Sequence, residues 1–325
     1  MKNRDNSFDF LKGFLIILVV VGHAIQLNYG ENSWSNPVFN IIYTFHMPLF
    51  IFISGYFFQS SLKRNFKELI LNKFERLLIP AIINSLIILL ILLISNKFHD
   101  ITIWQLYNVS KTYWYLICLF VLTIIYYAFF KGNTITKIII IVAYISSLFF
   151  YNRIPVFLFV DCQIIRMFLI MGLGIIYSKY KNNIHHIFVD KILTKVITVF
   201  CIVIVITVTR YYYGTNMLNY PIYIRILDGI TCSIIAYIIL HKTSNICQKY
   251  TPKLDKHLIE TGKISLGIYL IHVVIGRFIT YFKIPLIPEH KIICSILLSL
   301  LLYITSVKII KNIKNKKVKR YLLGG

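Results

Sequence analysis

The chain has 325 residues, 58% of them hydrophobic and only 14% charged, with a mean hydropathy of +0.72. Soluble globular proteins carry about 25% charged and about 45–50% apolar residues, so an ordinary cytosolic enzyme, a disordered chain and a small disulfide scaffold are all excluded. The net charge of +23, from 35 Lys and Arg against 12 Asp and Glu, fits loops that orient membrane helices and touch anionic lipid better than it fits a nucleic-acid surface.

The apolar residues come in runs of about 18–22, the length a helix needs to cross a hydrocarbon core. In chain order, spans are expected over 8–28, 39–59, 77–95, 113–130, 135–151, 162–178, 192–209, 220–240, 264–281 and 292–310. The expected fold class is an all-α integral membrane protein, a bundle of about ten transmembrane helices. It is read as one domain over 1–325, with a basic cytoplasmic tail at 311–325. Lys2 and Arg4 precede the first apolar run in the manner of a signal peptide. Lys12 and His23 lie in or beside that run and no small-x-small cleavage site follows, so a retained span is expected.

Orientation follows from Lys and Arg. With the N-terminus inside, 24 of them fall in inner segments, among them Lys63 to Arg76 and Lys308 to Arg320, and six in outer ones. This is a strong positive-inside pattern and puts both termini in the cytoplasm. The six cysteines (Cys118, Cys162, Cys201, Cys232, Cys247 and Cys294) are scattered without a CxxC pair. They read as small apolar side chains, with no metal and no disulfide expected.

An ionisable residue inside a span costs at least ~2.5–3.5 kcal/mol on insertion scales, so each one asks for a reason. The set is Lys12, His23, His46, Arg166, Lys195, Arg225, Asp228, His272 and Arg277. Lys12 and His23 are eleven residues apart, three helical turns plus about 20°, and share a face. Asp9, one turn before Lys12, can pair with it. The plainer reading has Lys12 snorkelling and His23 hydrogen-bonded in the packing. His46 lies about 10 Å deep on the next, antiparallel span, at the estimated level of His23. Pro48 frees a backbone carbonyl, and Ser54-Gly55 permits a close helix approach. Arg225 and Asp228 are one turn apart and can pair; with Arg166 and Arg277 they are either a structural ion network or the lining of a site. Lys195 reads as snorkelling.

Lys73 and Arg76 share a helical face at the start of the third span. With Lys12 they would make a cationic mouth for a phosphate-rich ligand, or they are simply topology charges. Trp34 and Trp104 read as interfacial anchors. Trp114, in Tyr113-Trp114-Tyr115-Leu116, is either an anchor or a platform for a sugar ring.

These segments resemble the acyltransferase-3 family, ten-span membrane O-acyltransferases that decorate bacterial cell-surface sugars. Asp9-Phe10-Leu11-Lys12-Gly13 through Val20-Val21-Gly22-His23 is similar to the family's first-span motif, a basic residue and a histidine with ten residues between them. The family often has Arg where this chain has Lys12, which keeps the charge but loses bidentate phosphate contact. Phe45-His46-Met47-Pro48 with Ser54-Gly55-Tyr56 resembles the second-span signature of the fucose-acetylase-like branch. Lys73-x-x-Arg76 is similar to the family's Arg-x-x-Arg, and Trp114-Tyr115-Leu116 and Gly262 through His272 to later family segments.

The resemblance implies an acetyl-CoA donor entering from the cytoplasm, a glycan or lipid-linked sugar acceptor, and a multi-pass protein of the bacterial inner membrane. Attack of a hydroxyl on a thioester needs a base and donors for the developing oxyanion. His23 is the expected base. His46 orients it or holds the acceptor. Lys12, Lys73 and Arg76 hold the CoA phosphates; Trp114, Arg225 and Asp228 contact the acceptor. An acyl-histidine relay stays open as the alternative route. No cofactor or metal and no nucleic-acid partner is expected beyond the membrane lipids, and a homo-oligomer is left open. The alternative class is a transporter or flippase of polysaccharide intermediates, since buried charges also line transport paths. Against it stands the absence of the repeated halves that many transporters show. A glycan polymerase would need a long outer loop, and none is visible.

Overall fold

The computed structural model of the chain describes residues 6–95, 102–151, 159–189, 195, 199, 202–204, 220–282 and 291–324. Every regular element among them is helical: α1 Asn6–Tyr29, α2 Pro37–Tyr56, α3 Phe66–Lys73, α4 Ile79–Ser95, α5 Ile103–Ser110, α6 Trp114–Lys131, α7 Thr134–Phe150, α8 Phe159–Val189, α9 Ile222–Tyr250, α10 Pro252–Lys263, α11 Ser265–Tyr281, α12 Lys291–Asn312 and α13 Lys316–Leu323. The all-α membrane class expected from composition is what the chain forms.

Six described helical segments are long and apolar enough to cross a bilayer, or seven when α10 and α11, bent by 74° at their junction, are taken as one broken span. This is fewer than the ten expected. The run at 135–151 forms α7, a short helix of 17 residues. The run at 162–178 lies within α8, and most of 192–209 lies outside the described residues. The outward surfaces are those of lipid-facing helices. Ile82, Leu86, Leu90 and Ile94 form an exposed i,i+4 row along α4, a pattern that in water would be a large apolar patch.

The chain divides into two compact units of interleaved segments. The first comprises Met1–Ile42, Asn72–Ile117 and His241–Gly325; the second comprises Tyr43–Leu71 and Cys118–Leu240. In the first unit, α1 buries Phe8, Phe10, Leu11, Leu15 and Ile16 and packs along α10, α12 and α11. Two glycines set its closest approach. A Cβ on Gly13 would lie 1.9 Å from the Leu258 carbonyl oxygen, and one on Gly262 would lie 1.8 Å from that of Asp9. Small residues let membrane helices meet backbone to backbone, which is how this contact forms. At the other end of α1, the Asn28 amide donates to the Lys291 carbonyl at 2.6 Å and to Ser295 Oγ at 3.1 Å, fixing α12.

The expected basic tail is a docked element. Asn315 caps α13, accepting from the Lys317 and Val318 amides, and Gly324 closes it in the left-handed conformation (φ 81°), the usual helix stop. Leu323 is buried, and the Leu322 carbonyl accepts from the Asn84 amide of α4 at 2.9 Å.

The second unit contains the close approach expected at Ser54-Gly55. A Cβ on Gly55 would meet the Met171 carbonyl oxygen of α8 at 2.2 Å, and one on Gly174 that of Phe52 at 2.1 Å. Tyr126 of α6 donates to the Phe168 carbonyl at 2.7 Å, joining a third helix to that pair.

Candidate active site

The first unit holds a cavity of about 330 Å³ at the Tyr29 end of α1, lined by His23, Gln26, Thr112, His272, Arg277 and Thr280 among others. Three elements build it. α1 supplies His23 and Gln26, one turn apart. α11 supplies His272, Arg277 and Thr280. The loop before α6 supplies Thr112, and Tyr113 beside it anchors that loop by donating to the Leu270 carbonyl of α11 at 2.9 Å. The Lys111 ammonium, on the same loop, is held below its usual range by burial and then by the Arg277 charge. Arg277 therefore lines the cavity with a second basic side chain close enough to feel its charge.

His23 Nδ1 lies 3.2 Å from Gln26 Oε1. An amide oxygen only accepts, so this contact keeps the proton on Nδ1 and leaves Nε2 as the basic nitrogen. The His272 ring stands beside it, 5.2 Å away between centroids. His272 is 1% exposed, and its Nδ1 lies 2.7 Å from the Ile268 carbonyl, one turn back on α11. A carbonyl also only accepts, so Nδ1 again carries the hydrogen and Nε2 holds the lone pair. That Nε2 is buried and has no hydrogen-bond partner. A buried acceptor left unmade costs about 1–3 kcal/mol, which in native proteins asks for a functional reason.

The residues expected to bind a phosphate-rich donor lie toward the Asp9 end of the same unit. Lys12 pairs with Asp9 at 2.7 Å, as the i,i+3 spacing predicts. Lys73 ends α3, and Arg76 falls in a π-helical turn over Phe74–Leu78. Such a turn bonds i→i+5, so the shared α-helical face expected for Lys73 and Arg76 does not carry over. π-Turns occur frequently at functional sites. Arg76 Nε donates to the Gly324 carbonyl at 3.3 Å, and neighbouring Glu75 pairs with Arg320 of α13. The C-terminal helix thus packs directly beside the expected cationic mouth.

The remaining candidates divide between the units. Trp114, in the first, opens α6 and packs edge-on to Tyr115. His46, Arg225 and Asp228 belong to the second. The His46 ring packs edge-on to Tyr43 at 4.9 Å. Arg225 is 1% exposed, donates to the Tyr151 hydroxyl and lies 5.7 Å from that ring's centroid. Asp228 Oδ1 accepts from the Cys232 thiol at 3.4 Å, and Arg166 is buried as well. His272 was visible in the sequence as a charge-capable residue in a span. Its place beside His23 was not, because that depends on which helix packs against α1. Gln26 carried no signal at all.

A sequence profile for an acyltransferase domain matches residues 5–309. The chain belongs to the acyltransferase-3 family. Two nodulation proteins NolL are similar to it. One, from Sinorhizobium fredii (strain NBRC 101917 / NGR234), is 48% identical over 84 residues, 25% of this chain and 23% of that protein. The other, from Mesorhizobium japonicum (strain LMG 29417 / CECT 9101 / MAFF 303099), is 34% identical over 131 residues, 37% of this chain and 34% of that protein. The match thus spans about a quarter to a third of the length of these curated relatives. No solved structure matches the chain. The acyltransferase-3 domain takes in the cavity histidines, the Asp9–Lys12 pair and Arg76 within one matched stretch.

Proposed function

We propose that the protein is an inner-membrane O-acetyltransferase that moves an acetyl group from cytoplasmic acetyl-CoA to a hydroxyl of a cell-surface or exopolysaccharide sugar. The observation that carries this reading is the His23 cavity, with its basic Nε2 and the Arg277 guanidinium, in a chain of the acyltransferase-3 family. His23 Nε2 takes the proton of the acceptor hydroxyl as its oxygen attacks the thioester carbon. The C–S bond breaks with its electron pair on sulfur, and the proton passes to the thiolate. The Arg277 guanidinium is the donor for the charge that builds on the carbonyl oxygen, since the hydroxyls of Thr112 and Thr280 already donate to the Asn108 and Gly276 carbonyls. Lys12, Lys73 and Arg76 would hold the CoA phosphates at the other end of α1. Trp114, Arg225 and Asp228 remain the candidates for the sugar, and His46 for a supporting polar role.

The testing experiment incubates purified protein in detergent with labelled acetyl-CoA, with and without candidate glycans. Acceptor-dependent CoA release and labelled glycan are expected. Glycan movement across liposomes without CoA turnover would favour the transporter class instead.

Two further results are expected. Changing Lys73 and Arg76 together to Ala should raise the KM for acetyl-CoA more than that for the glycan. Each well-made charge-assisted contact to phosphate is worth about 1.5–3 kcal/mol. Unchanged donor saturation would leave these two as topology charges. From the 24-to-6 distribution of Lys and Arg, both termini are expected in the cytoplasm and the 29–38 loop outside. Reporter fusions after residue 325 and within that loop check this, and an externally active C-terminal reporter would overturn it.

A further inference from the structure

The second histidine of the cavity has no part in the chemistry so far. Three observations bear on it. His272 is buried at 1% exposure while lining the cavity. Its Nδ1 is committed to the Ile268 carbonyl, and its Nε2 has no partner. Its ring lies 5.2 Å from that of His23. Tyr269 is the other ring close to it, at 6.1 Å. A buried lone pair with no protein partner is suited to a proton that is absent at rest and present during the reaction. In the resting state neither imidazole has an Nε2 hydrogen to offer the other. Once His23 has taken the acceptor's proton it has one.

We infer that His272 is a positioning residue for His23, its Nε2 accepting one arm of a three-centre hydrogen bond from the Nε2–H of the imidazolium formed when the acceptor hydroxyl is deprotonated, while the other arm points to the reacting oxygen and then to the sulfur. The inference rests on the reading of His23 as the base. Gln26 Oε1 holds one edge of the imidazolium and His272 Nε2 meets the other, while the Ile268 carbonyl fixes the tautomer of His272. No covalent bond to His272 forms at any point. The proton stays on His23 until the thiolate takes it, and His272 returns to its bare state.

Two substitutions separate this role from simple packing. His272→Asn places an amide N–H where Nδ1 was, so the bond to Ile268 is retained and the distal acceptor is lost. His272→Gln places an amide oxygen near the Nε2 position and restores the acceptor. The expected result is a fall in kcat of roughly tenfold or more for Asn, part of the 10²–10⁴ that a general base contributes. The KM values for acetyl-CoA and glycan should stay near parental, and kcat should recover substantially in Gln. A packing role predicts that turnover follows thermal stability in both variants, because Asn leaves a cavity and Gln fills it; a loss of kcat in Asn matched by a loss of stability, or parental kcat in Asn, would overturn the inference.

A double-mutant cycle supplies the second readout. In a His23→Ala background, His272→Asn should cost no further turnover, because the imidazolium it serves no longer forms. Equal losses in both backgrounds, including losses caused by a damaged fold, count against the inference. Parental turnover in His23→Gln, or no acceptor-dependent CoA release by the unmodified protein, overturns the underlying reading of the base and the inference with it. Dependence on His23 with indifference to His272→Asn overturns the inference alone.

Discussion

His23→Gln should leave the protein folded and lower acetyl transfer by roughly 10²–10⁴, the usual contribution of a general base. Glutamine keeps similar length and can hydrogen-bond, so the packing around Gln26 and the cavity wall is preserved. It cannot accept a proton at neutral pH, so the hydroxyl must lose its proton unaided. His23→Ala should be about as inactive. The affinity for acetyl-CoA should change little in either variant, because the basic residues proposed to hold the CoA phosphates, Lys12 among them, lie toward the opposite end of α1, where Lys12 pairs with Asp9 at 2.7 Å. The check is transfer of labelled acetyl by both variants, with expression and thermal stability matched to the parent. Near-parental turnover in His23→Gln would falsify the assignment and leave His23 as a packing residue.

Gly262→Ala should unfold the first unit locally. The added methyl carbon would lie 1.8 Å from the Asp9 carbonyl oxygen and 2.7 Å from its carbon, with the Gly13 nitrogen at 3.0 Å. All three are backbone atoms of α1, so no side chain can turn aside. The helices must separate, and the cost should reach or exceed about 3 kcal/mol, the upper end of overpacking effects. The Asp9–Lys12 turn lies at this contact, and α11 follows directly after Gly262, so activity should fall with stability. Gly276→Ala is the matched comparison for stability. Its methyl would meet only Leu27 Cδ1 at 3.3 Å, the mobile end of a side chain that can shift by a few tenths of an ångström. Thermal unfolding in detergent and the monodisperse fraction on size exclusion read both variants. A parental transition in Gly262→Ala would mean that α1 and α10 are not held this close.

The sequence by itself determined the class of the protein, because hydrophobic run length and charge placement are local properties that a bilayer reads directly. It also determined the Asp9–Lys12 pair and the close approach at Gly55, since i,i+3 geometry and the lack of a Cβ belong to the residues themselves. His23 was singled out by the resemblance of the first span to a family motif. What only the tertiary structure decided is the company His23 keeps. His272 is 249 positions away in the chain, and nothing in its own helix says which neighbour it faces. The choice is made by the glycine contact between α1 and α10 and by the 74° break that turns α11 away from α10. The π-turn at Arg76 and the docking of α13 beside it were equally hidden. Both depend on backbone partners supplied by distant segments, and periodicity within a single helix carries no record of them.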